Sequence, residues 1–145
     1  MKDKIMKHAQ HKKLLCAAVF AVLSMCASAQ TEFTGLYSCK ELNASLTLNL
    51  VEKNIALKDL DFDETYGYMK GNLNGTWVVL KVKKADSKKA LVRMVSDIGV
   101  DAQDVEFSLT KEGDLIMRLQ GEQNIKMVAD RKYVKLPKEV IFKKQ

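Results

Sequence analysis

Beyond residue 30, apolar and polar residues alternate along most of the chain. Leu46, Leu48 and Leu50 are separated by Thr47 and Asn49, and Val105, Phe107 and Leu109 by Glu106 and Ser108. Leu115, Met117 and Leu119 flank Ile116 and Arg118, while Ile125 and Met127 flank Lys126. A period of two sends successive side chains to opposite faces of a strand, so the pattern predicts half-buried antiparallel strands. Turn-forming residues separate the runs at Lys53-Asn54, Asp86-Ser87-Lys88, Lys111 to Asp114 and Gly121 to Asn124. The spacing gives about eight or nine strands, each of roughly 5–10 residues. The best helix candidates are Asn54 to Asp61 and Ile98 to Asp104, and the second reads more easily as a loop crossing one end of the fold.

Asn74-Gly75 is the strongest local turn signal, because a two-residue type I′ hairpin needs positive φ at both centres. Pairing outward from it sets Leu73 opposite Thr76, Gly71 opposite Val78, Met69 opposite Leu80 and Gly67 opposite Val82, an apolar face. The other face then carries Tyr66, Tyr68, Asn72 and Trp77 among Lys70, Lys81 and Lys83. Flat rings beside donors on one side of paired strands suit stacking on a sugar or a peptide; they equally suit plain cross-strand support. With the faces inverted, the same rings would line an interior cavity. The runs from Trp77 to Leu80 and from Ala90 to Val95 are apolar on both sides.

The expected fold is all-β, an antiparallel up-and-down small barrel, with a β-sandwich as the alternative. Closing the sheet on itself removes exposed strand edges, which favours the barrel. Gly35-Leu36-Tyr37 and Gly75-Thr76-Trp77 resemble the Gly-x-Trp opening of lipocalin-like barrels of small exported proteins. That resemblance implies an architecture and no particular ligand.

The first thirty residues change the meaning of the charge. Lys2, Lys4, Lys7, Lys12 and Lys13 precede an apolar run from Leu14 to Met25 and the small-residue site Ala27-Ser28-Ala29, the layout of an export signal over residues 1–29. The alternative is a lipoprotein acylated at Cys26 within Leu23-Ser24-Met25-Cys26. The apolar run is shorter than the roughly 20 residues a bilayer core requires, so no transmembrane segment is expected after processing. Cleavage after Ala29 leaves one domain, residues 30–145, destined for the periplasm or the medium. The formal charge of +6 then falls to +2, from 19 basic and 17 acidic residues, which removes the basis for a nucleic-acid reading. His8 and His11 leave with the signal, and Cys39 remains as the one thiol. Imidazole-based triads and metal sites are thereby excluded from the processed domain, and the expectation is a protein that is not an enzyme and needs no cofactor.

Three further groups carry candidate chemistry. Asp59, Asp61 and Asp63 open like a calcium loop, but Glu64 and Lys70 stand where that loop needs Gly and Glu, so solvated carboxylates are expected. Residues 131–145 hold six basic residues against Glu139, a local +5. Arg131, Lys132, Lys135 and Lys138 could meet an anionic surface, or simply form the wet face of an edge strand near Pro137. The leading functional expectation is an exported barrel that binds a small apolar or amphipathic ligand, or a partner surface. Tyr66, Tyr68, Trp77, Lys81, Arg93 and Arg118 are the candidate contacts, with the two arginines orienting a ligand in the interior. The alternative is a structural, interaction or inhibitor protein of the cell envelope with a filled core.

Overall fold

Strand propensity and alternation produce the expected elements in the computed structural model, which describes residues 33–98 and 101–145. The export signal and Cys26 lie outside the described residues. The chain forms β1 (Thr34–Cys39), β2 (Ala44–Asn49), β3 (Ile55–Leu57), β4 (Phe62–Thr65), β5 (Gly67–Lys70) and β6 (Trp77–Ala85). It continues through β7 (Lys89–Ser96), β8 (Ala102–Leu109), β9 (Leu115–Gln120), β10 (Lys126–Ala129), β11 (Lys132–Lys135) and β12 (Val140–Lys144). Eight of these close an antiparallel barrel in the order β1-β12-β9-β8-β7-β6-β5-β2, while β3-β4 and β10-β11 form separate two-stranded ribbons. The barrel is the expected one, and the two ribbons are insertions that alternation alone did not separate from it. The helix candidate from Asn54 to Asp61 becomes β3 and a single 3₁₀ turn, Lys58–Leu60, and Ala102 to Asp104 already belong to β8.

The alternating apolar residues point inward as expected. Leu46 and Leu48 of β2, Val92 and Met94 of β7, Val105 and Phe107 of β8, and Leu115 and Met117 of β9 are buried in one core. Cys39 is buried with them at the end of β1.

Strand β6 is where period two fails. Its pairing with β7 slips between Val79 and Lys81 and again between Val82 and Lys84, making Leu80 and Lys83 extra residues. Bulges bend a strand and increase its twist, as closing a small barrel requires. Two glycines let β5 approach β2. A Cβ on Gly67 would stand 2.1 Å from the Thr47 carbonyl oxygen, and one on Gly71 would stand 2.5 Å from Ala44 Cα.

The register expected from Asn74-Gly75 is corrected by the structure. Gly67 pairs with Val79, Tyr68 with Val78 and Met69 with Trp77, a slip of three residues. Asn74 has negative φ, so the dipeptide makes no type I′ turn. Residues 71–76 instead form a longer loop, and Leu73 bridges to Met127 of β10. The odd slip turns Trp77 from the wet face to the core, while Tyr68 stays outside. The positive-φ pair occurs at Asp130-Arg131 (φ 50° and 64°), which joins β10 to β11.

An amide network explains why the loop prevails over the local turn. Asn74 Oδ1 accepts from Trp77 Nε1 at 3.1 Å and from the Lys126 backbone N–H at 3.0 Å, and its Nδ2 donates to Asn124 O at 2.8 Å. Gln103, buried on the inward row of β8, accepts from the Asn124 N–H at 2.7 Å and donates to Gln120 O at 2.9 Å. These bonds hold the chain across one barrel end, where Leu42, Leu73, Ile125 and Leu136 join the core.

The last segment also differs from the edge strand anticipated for it. Strand β12 is paired on both sides, to β9 and to β1, and buries Val140 and Phe142. The exposed edge is β11, with all four residues open to solvent.

Candidate functional site

The inward face offers side chains rather than space. Tyr37, Trp77, Phe107, Phe142, Met69, Met94 and Met117 are its largest fully buried members alongside Leu42, Leu46, Leu48, Leu115 and Ile125. Burial pushes the Tyr37 hydroxyl pKa up, so it stays neutral through the physiological range. Trp77 belongs to this core and presents no ring to solvent.

Of the tyrosines expected beside Trp77, Tyr68 lies on the opposite face of the sheet from it, while Tyr66 packs partly against the core that holds Trp77. Both are half-buried, and each ring has a lysine ammonium at cation–π range, Lys53 at 5.8 Å from Tyr66 and Lys70 at 5.7 Å from Tyr68. Tyr68 faces outward between Thr47 and Val78. Val78 is fully buried between Tyr68 and Val95 on the neighbouring strands, which accounts for part of the two-sided apolar run in β6.

Arg93 and Arg118 stand on the outer wall and not inside the barrel, because each lies between inward residues of its strand. Arg93 is opposite Asp104 on β8 and donates to it from Nε at 2.9 Å; Lys83, the bulge residue of β6, reaches the same carboxylate at 2.9 Å. The Arg93 and Lys83 hydrogen bonds pull the Asp104 pKa down to about 2. Lys81, exposed on β6, is directly opposite Arg93. Arg118 donates to Glu139 from Nη2 at 2.7 Å and to Glu106 and Ser108 from Nη1 at 3.4 and 3.3 Å. Lys143 pairs with Asp114 at 3.0 Å and, with the Lys144 backbone N–H, lowers the Asp114 pKa. These pairs tie adjacent strands together, with Lys83 and Arg93 sharing the one carboxylate of Asp104.

The outer wall of β1 and β12 also holds a groove of about 460 Å³ lined by Ser38, Lys40, Glu139, Ile141, Lys143 and Gln145. Ile141 is 51% exposed and lies opposite Ile116 on β9; Leu36, farther along β1, is 52% exposed. This open isoleucine, bordered by ion-paired Glu139 and Lys143 and by Ser38, which accepts from Gln145 Nε2, can take a protein or peptide surface. Two other concavities, of about 420 and 380 Å³, sit at the rim by the β6–β7 and β8–β9 turns.

The basic residues of the tail are divided by the fold. Arg131, Lys132 and Lys135 go to the β10-β11 ribbon, with Lys138 shortly after it, and all four are exposed. Asp59, Asp61 and Asp63 are exposed around the 3₁₀ turn, and no cluster of metal-ligating side chains occurs among the described residues. No helix among them is long and apolar enough to cross a membrane.

Sequence reasoning missed Asn74 as a bridge, Asp104 as the focus of two cations, and the β1–β12 groove. Gln103 carried a readable sign of the network, being polar on the inward row that continues as Val105 and Phe107. Comparison with protein-family models, curated proteins and solved structures finds no match for the chain.

Proposed function

We propose that this chain is a non-enzymatic interaction protein of the cell envelope, a solid barrel that presents a fixed outer surface to a macromolecular partner. The observation that carries the reading is the inward face, where Tyr37, Trp77, Phe107, Phe142 and three methionines are buried against one another. A carrier needs a preformed cavity of some hundreds of Å³ in that position. The filled core weighs the interaction reading above the small-ligand reading that a lipocalin-like resemblance suggests. Placement in the envelope rests on the basic-then-apolar layout of residues 2–29. The ion-paired wall supports recognition as well, since cross-strand arginine–carboxylate pairs hold the surface in one shape.

A native mass spectrum of the protein recovered from the cells that make it tests the reading. The expected result is the unliganded chain, alone or complexed with another protein. A small-molecule adduct that survives buffer exchange would overturn it and restore the carrier.

A further inference from the structure

We propose that the β10-β11 ribbon docks the protein on an anionic lipid surface, through Tyr133 and the unneutralised cations Lys126, Arg131, Lys132 and Lys135. The ribbon is a regular antiparallel pair: Ala129 and Lys132 close its two-residue turn, followed by Val128 with Tyr133, Met127 with Val134 and Lys126 with Lys135. Met127 packs against the core, so its face of the ribbon is turned to the barrel. The opposite face carries Val128, Tyr133, Lys126 and Lys135, while Lys132, on Met127's face, is exposed with Arg131 at the turn end of the ribbon. Tyr133 is 62% exposed, the most open aromatic ring among the described residues.

Charge and an open ring together distinguish the ribbon: residues 81–89 hold an equal excess of cations, five against Asp86, but no exposed aromatic. On the barrel wall, Lys83 and Arg93 share Asp104, Arg118 pairs with Glu139 and Lys143 with Asp114. None of the ion pairs among the described residues uses Lys126, Arg131, Lys132, Lys135 or Lys138. Residues 126–138 hold those five cations and one carboxylate, Asp130, a local +4. Lys126 and Lys135 stand directly opposite each other, an arrangement that repels within the ribbon and is relieved by an anion laid across both.

A bilayer fits this face better than a soluble polyanion does. Phosphate head groups take the lysines, and the amphipathic tyrosine ring between them sits at head-group depth, where such rings are favoured. Each basic residue held near an anionic leaflet adds about fivefold to affinity.

The inference rests on the interaction reading only for its placement in the envelope, and the two fail separately. A ligand adduct in the native spectrum would sink the solid-barrel reading and leave lipid docking intact; loss of docking would do the reverse.

The test is co-sedimentation of the purified protein with vesicles of phosphatidylcholine containing about 30% phosphatidylglycerol, against vesicles of phosphatidylcholine alone. Binding is expected only with the anionic lipid. The double variant Lys132→Glu/Lys135→Glu should weaken it at least about tenfold, while Lys84→Glu/Lys88→Glu, the same charge change at the other barrel rim, should leave it within about twofold. Tyr133→Ser should weaken it about threefold. All of these positions are exposed, and Lys132→Gln/Lys135→Gln repeats the test without introducing acids. Equal binding to neutral vesicles, or equal loss in both charge-reversal pairs, would overturn the proposal. So would an unchanged Tyr133→Ser affinity combined with full competition by soluble polyphosphate, which would mark a polyanion site instead.

Discussion

Replacing Asn74 with alanine tests how the barrel end is held. The substitution removes the acceptor for two donors, the indole N–H of fully buried Trp77 and the backbone N–H of Lys126, and it removes the donor to the Asn124 carbonyl. A buried donor left without an acceptor costs about 1–3 kcal/mol. The two together should cost about 3–4 kcal/mol, a large share of the roughly 5–15 kcal/mol that holds a domain folded. For a domain of this size that lowers the thermal midpoint by about 12–16 °C. Urea unfolding reads the free energy directly, and a double-mutant cycle with Trp77→Phe should return a coupling of about 1–2 kcal/mol. Asn74→Gly sharpens the test. A residue at the centre of a type I′ turn accepts glycine far better than alanine, whereas at the negative φ seen here glycine should be the worse of the two by about 0.5–1 kcal/mol. A loss below about 1 kcal/mol for Asn74→Ala, or glycine outperforming alanine, would refute the bridging argument.

Four other outcomes follow from the same geometry. Phe107→Ala should cost about 3–5 kcal/mol by urea unfolding and open a dry cavity detectable by xenon binding, since Phe107 is fully buried among other core side chains. Gly67→Ala should destabilise by at least about 2 kcal/mol in the same assay, because its Cβ would meet the Thr47 carbonyl oxygen and its φ of 150° disfavours a side chain. Asp104 has its folded pKa lowered to about 2, so its stabilising effect is complete above about pH 4 and lost as pH falls toward 2; urea midpoints of wild type and Asp104→Asn should converge over that window. Cys39, buried in the core, should react with a thiol reagent only at the rate of unfolding, measured by release of the chromophore in and out of denaturant.

How much of this was legible in the chain depended on the distance over which each choice is made. Alternation is local, and the inward rows of β2, β8 and β9 match it residue for residue at Leu46, Leu48, Val105, Phe107, Leu115 and Met117. The same parity put Arg93 and Arg118 outside, between Val92 and Met94 and between Met117 and Leu119, so an interior role for them conflicted with a signal already visible. Strand β6 was illegible because two bulges change its parity midway. Asn74-Gly75 misled because the partners that decide Asn74's role lie about fifty residues along the chain, where no turn propensity registers them. The ribbon was visible as a basic run but not as a ribbon, since Asp130-Arg131 adopts positive φ without a glycine.

The seam of the barrel has a consequence in time. Tyr37 and Ser38 of β1 meet Lys144 and Lys143 of β12 across more than a hundred intervening residues. Contacts of such separation carry a high loop-closure cost and form late. Until residue 144 is available, β1 and β9 both keep an open edge, and the chain is an unclosed sheet able to pair with other strands. Closure is therefore a single late event that converts a threadable, sticky polypeptide into a sealed one, and any factor holding the segment 140–144 away from β1 would keep the whole chain in its unsealed form.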